Sequence, residues 1–118
     1  MNLTERLNVL IQAVTLSQKS GTLTFDEAVK AKTALDIISS GELNQNFTSA
    51  INVLIELISS SQKKGAYSLK DAHMAYLAIN GIDVEFKNEI DRIKEEMRSN
   101  EPIKLEYATK NNEKKNNQ

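Results

Sequence analysis

Apolar residues recur at helical spacing through most of the chain. Leu7, Leu10, Ile11 and Val14 share one face of a helix that the spacing predicts over residues 5–18. Ile51, Leu54, Ile55 and Ile58 predict a second such helix over 49–63. Thr4 and Thr48 stand just ahead of these two runs, where an N-cap belongs. Two further helices are predicted over 25–39 and 69–80, ended by Gly41 and Gly81.

The pattern is also a repeat. Shifted by 44 positions, residues 2–38 lie over 46–82 with fourteen of 37 positions identical. The motif Asn8-Val9-Leu10-Ile11 falls on Asn52-Val53-Leu54-Ile55, and Ser17-Gln18-Lys19 falls on Ser61-Gln62-Lys63. A period this long is one supersecondary unit used twice. Each unit is expected to be helix–loop–helix. Gly21 and Gly65 provide the left-handed stop of its first helix. Thr24 with Glu27, and Ser68 with Asp71, open the next helix as capping boxes. Leu23 and Tyr67 lie in mid-connector and are expected to tuck against the helices. An isolated hairpin cannot bury its apolar face, so the two are expected to close a shared core.

A fifth amphipathic helix is predicted over 83–99, with Asp83 as its N-cap. Its apolar positions Phe86, Ile90, Ile93 and Met97 form a narrow seam, and the rest of it is charged or polar. That seam either lies across the four-helix core or presents itself to a partner or a second copy. After Pro102, Ile103 to Tyr107 alternates like a short extended segment that docks on the core or on another chain. The fold class is therefore all-α. Two tandem helix–loop–helix repeats of period 44 (2–40 and 46–82) form a four-helix core, followed by the fifth helix and the short extended segment. Residues 1–106 are read as one domain, and 107–118 as a flexible, basic, Asn-rich tail.

Composition narrows the functions. Aromatic residues make up 5% of the 118, with no Trp, so the core is aliphatic. With no cysteine there is no disulfide, thiolate nucleophile or Cys-based zinc site. The formal net charge is −1, which argues against nucleic acid, although Lys110, Lys114 and Lys115 concentrate positive charge in the tail. No uninterrupted apolar run is long enough to cross a membrane, and the start MNLTERLNVLIQAV lacks the pattern of a secretory leader. The lone His73 has Asp71 two residues away, about 200° around a helix, where it cannot orient the imidazole. No catalytic residue, metal ligand or cofactor is expected.

The connector resembles the calcium loop of EF-hand proteins, with glycine at the sixth position and an acid at the twelfth. Counting from Gly21 puts Leu16 first, Gln18 third, Ser20 fifth and Glu27 twelfth. The second copy has Ser60, Gln62, Lys64 and Asp71 in those places. The ligand positions lack the carboxylates that calcium requires, so the resemblance implies a calcium-free pairing. The phrase QKKGAYSLKDA, following an NVLI helix, resembles small uncharacterised helical proteins of large DNA viruses and tailed phages. That likeness implies a place in host cytoplasm or virion, and no activity.

These readings converge on a non-enzymatic protein–protein interaction or structural module, of virion or accessory type, whose partner is another protein or a second copy. A calcium-independent regulatory module binding a partner helix is one alternative. A nucleic-acid accessory protein using the lysine tail is another.

Overall fold

The computed structural model describes residues 1–96 and 103–105. These are all-helical, with five helices in chain order: α1 (Leu3–Lys19), α2 (Phe25–Ser40), α3 (Gln45–Lys63), α4 (Leu69–Ile79) and α5 (Ile82–Glu96). Among the described residues, no helix is long and apolar enough to cross a membrane.

Both first helices start earlier than their threonines suggest. Asn2 caps α1: its side chain accepts from the Glu5 N–H at 2.8 Å, and the Glu5 carboxylate accepts from the Asn2 N–H at 3.1 Å. Asn44 caps α3 by accepting from the Phe47 N–H at 3.1 Å. Burial explains the choice. Starting at Asn2 and Asn44 brings Leu3 and Phe47 onto the apolar faces, one turn before Leu7 and Ile51, and both are buried. Capping at Thr4 and Thr48 would leave those two side chains outside the helix.

The helices exchange partners. α2 packs most extensively on α3, and α1 on α4 and α3, whereas the two helices of each unit touch far less. Each unit is thus splayed, and the main helix packing lies between the units. Buried alanines mark this packing: Ala31 and Ala34 of α2, Ala50 of α3, and Ala75 and Ala78 of α4. Small side chains at a helix contact let the backbones approach. Open space lies inside each unit, and a smaller cavity of about 230 Å³ lined by Val29, Ile37 and Val53 lies between α2 and α3.

α5 begins one residue earlier than expected. Asp83 lies in its first turn and not at its N-cap, because Ile82 is drawn into the core. The helix lies against α1. Of the predicted seam, Ile93 is buried, Phe86 and Ile90 are half-buried against the core, and Met97 lies outside the described residues. Phe86 meets Phe47 with ring centroids 5.7 Å apart. The seam faces inward, and its described members are engaged within the chain.

The segment after α5 also docks in cis. Glu42 and Lys104 form an antiparallel bridge, with Leu43 N–H donating to Ile103 C=O and Leu105 N–H donating to Gly41 C=O, both at 2.8 Å. Leu105 is only 1% exposed. Residues 106–118, including Tyr107 and the lysine tail, lie outside the described residues.

Candidate functional site

The duplicated connector is a built structure, and its two copies lie against each other. Helix α1 ends in a left-handed turn in which Gly21 N–H donates to Gln18 C=O (3.2 Å) and Thr22 N–H donates to Ser17 C=O (3.1 Å). Helix α3 ends identically: Gly65 N–H to Gln62 C=O and Ala66 N–H to Ser61 C=O, both at 3.0 Å. This pair of bonds is the Schellman motif, which satisfies carbonyls that a helix end leaves orphaned. It requires positive φ at the glycine, and Gly21 and Gly65 have φ of 73° and 81°.

Three residues on, the next helix starts. Thr24 accepts from the Glu27 N–H at 3.1 Å, and Glu27 accepts from the Thr24 N–H at 2.9 Å, completing a capping box. Ser68 accepts from the Asp71 N–H at 3.1 Å, but no return bond comes from Asp71. Its side chain is one methylene shorter than glutamate, so the second box is half-made. The backbone bond from Thr24, and then the Lys64 ammonium, hold the Glu27 carboxyl below its ordinary range.

A buried hydroxyl cluster joins the connectors. Ser17 and Ser61 are fully buried at equivalent places in the repeat. The Tyr67 hydroxyl reaches across from the second connector to donate to Ala13 C=O at 2.9 Å, and it shares a hydrogen bond of 2.5 Å with Ser17. From the first connector, Thr22 donates to Ser61 at 3.2 Å. Every buried polar side-chain atom among the described residues has a partner. Burial pushes the Tyr67 phenol above its usual pKa, partly offset by the Ser17 and Ser61 hydroxyls beside it.

Lys64 completes the junction. Its ammonium donates to Thr22 C=O at 2.9 Å and lies 3.5 Å from the Glu27 carboxylate. Counted as a calcium loop, Thr22 and Glu27 are the seventh and twelfth positions, whose backbone carbonyl and carboxylate would face the metal. An ammonium from the other connector stands at those oxygens. Leu16 supplies no side-chain oxygen. This donor set does not fit calcium. Among the described residues, no group of three or more His, Cys, Asp or Glu side chains is placed to hold a metal ion. His73 is exposed on α4.

The splayed units leave apolar clefts. Between α1 and α2, cavities of about 510 Å³ and 270 Å³ share Lys32 and Leu35 in their linings. The larger is floored by Leu7, Ile11 and Ile38, and the Lys32–Asp36 ion pair lies on its rim. Between α3 and α4 a cavity of about 380 Å³ is floored by Ile55, Ile58 and Ile79. Tyr76, itself 62% exposed, stands in that lining, and no ion pair among the described residues joins two of its lining side chains. Ile11 and Ile55, expected in the core, are half-buried in these cleft floors.

Of the predicted site residues, Glu27, boxed by Thr24, meets Lys64 at the junction, Gly21 and Gly65 close the ends of α1 and α3, and Ser68 caps α4 by accepting from the Asp71 N–H. The seam of Phe86, Ile90 and Ile93 lies elsewhere, packed between α5 and the core. Sequence reasoning missed Ser17 and Ser61. Their signal was a polar residue at the next apolar-face position after Val14 and Ile58, repeated in both copies. It also missed Arg6, whose guanidinium donates to the C-terminal carbonyls of α4: Leu77 (2.9 Å), Ala78 (3.0 Å) and Asn80 (2.6 Å). A cation there satisfies orphan carbonyls and complements the helix dipole. No known protein family, curated protein or solved structure matches the chain.

Proposed function

We propose that the protein is a non-enzymatic interaction module that receives a partner's amphipathic helix in the cleft between α3 and α4. The observation that carries this reading is the open, isoleucine-floored cleft with the exposed Tyr76 at its edge. Helix-in-groove recognition needs an apolar trough and a large anchor side chain at its margin. The outer face of α4 extends the apolar character, since Met74 and Leu77 are each 40% exposed. The α1/α2 cleft fits this role less well, because the Lys32–Asp36 pair on its rim would have to be desolvated.

Regulation without calcium is part of the same reading. Lys64 links the connectors with a cation carried by the chain itself, so the junction needs no free ion. The likeness to helical proteins of large DNA viruses and tailed phages supports a virion or accessory setting.

The test is a displayed library of amphipathic helices selected against the full-length chain. Enriched binders are expected to carry apolar residues at i, i+3 or i+4, and i+7. They should lose at least about tenfold in affinity to Tyr76→Ala and to Ser59→Glu, which places a charge in the cleft mouth without touching the core. Binders indifferent to both substitutions would refute the cleft as the site.

A further inference from the structure

The edge of the α2–α3 linker at Gly41–Leu43 is occupied by the chain's own residues 103–105. We infer that this edge is a binding site for an extended peptide of the pattern apolar–basic–leucine, held closed by that segment as an autoinhibitory strap. The inference is independent of the helix-binding cleft.

The seated segment defines the ligand. Strand addition uses backbone bonds for affinity and alternate side-chain pockets for selectivity. Both elements are present. Gly41 C=O and Leu43 N–H are the acceptor and donor, each satisfied at 2.8 Å. Ile103 and Leu105 point to the protein, the first half-buried and the second 1% exposed. Between them Lys104 alternates to the other side, where its ammonium lies 3.9 Å from the Glu42 carboxylate. Gly41 has φ of 73° as the left-handed C-cap of α2, so its carbonyl leaves the helix direction and is free to accept from a strand. A partner segment repeating this pattern would make the same contacts.

The contact is short: one bridge, two backbone bonds, the half-buried Ile103, the buried Leu105 and the Lys104–Glu42 pair at 3.9 Å. Because the segment belongs to the same chain, it competes with a free peptide at a fixed effective concentration, which keeps a weak site filled. Loosening the strap should therefore raise the apparent affinity for a competing peptide in proportion to the open fraction.

The probe is a fluorescent synthetic peptide of sequence EPIKLEY, residues 101–107, added to full-length protein. Leu105→Asp should bind it saturably, at least about tenfold tighter than the wild type does. A peptide with the leucine replaced by aspartate should not bind. Absence of binding to a helical, folded Leu105→Asp chain would overturn the proposal. Amide exchange on the wild-type protein provides a second measurement should that variant unfold. The Leu43 and Leu105 amides should exchange by local opening, at least about tenfold faster than that of Leu54 in the core. If instead they exchange only with global unfolding, the segment is a fixed part of the fold and the strap is refuted.

Discussion

Replacing Tyr67 by phenylalanine removes one oxygen from the buried junction and leaves the ring in place. The effect is bounded by what remains. Ser17 is then able to donate to Ala13 C=O, 3.1 Å away, so neither group is orphaned. The loss is then that of a satisfied hydrogen bond, about 1 kcal/mol, and not the larger cost of stranding a buried donor. For a domain of this size about 1 kcal/mol lowers Tm by roughly 4–6 °C. Tyr67→Ala also removes the buried ring and should cost about 3–5 kcal/mol. The decisive assay is a double-mutant cycle, by chemical denaturation, of Tyr67→Phe and Ser17→Ala. The two hydroxyls lie within hydrogen-bonding distance of each other and of the same carbonyl, with two protons to share among three contacts. Their costs should therefore fail to add, with a coupling of about 0.5–1 kcal/mol. Additivity within about 0.3 kcal/mol, or a Tyr67→Phe chain as stable as wild type, would show that the Tyr67–Ser17 contact does not help to join the connectors.

Other expectations follow from the same geometry. Because the folded Tyr67 pKa is raised, the native state holds a proton that the unfolded chain releases above about pH 10. The stability this gives is complete below that pH and falls as pH rises through the folded value. Denaturation midpoints measured from pH 8 to 11 should show the fall in wild type and less of it in Tyr67→Phe. Gly65→Ala meets no atom within 4 Å, so its cost is purely that of a positive φ, about 1 kcal/mol by chemical denaturation. Arg6→Ala strips the C-terminus of α4 of a charged donor and should cost about 2 kcal/mol, with faster amide exchange in that last turn. Lys64→Met should lower Tm in dilute buffer and much less in 1 M salt, since the Lys64–Glu27 pair is partly exposed. Adding calcium or a chelator to wild type should leave the melt unchanged.

What the sequence determined by itself is local. Helix periodicity, the glycine stops and the Thr24–Glu27 box were all legible, because each depends on residues within one or two turns. The all-α class follows from them. Where two local signals competed, tertiary burial decided: Asn2 and Asn44 prevailed over Thr4 and Thr48 because the earlier starts bury Leu3 and Phe47. The partner exchange of the helices was not legible at all. An amphipathic stripe records that a face will be covered, but not by which helix, so α1 on α4 and α2 on α3 emerged only from the packing of buried alanines. The seam on α5 has the same ambiguity, and the fold resolved it inward against Phe47. Likewise the alternation at Ile103–Leu105 announced an extended segment, while its docking edge at Gly41–Leu43 lies some sixty residues away in the chain. Contacts at that distance are set by the shape of the assembled core, which no short stretch of sequence contains.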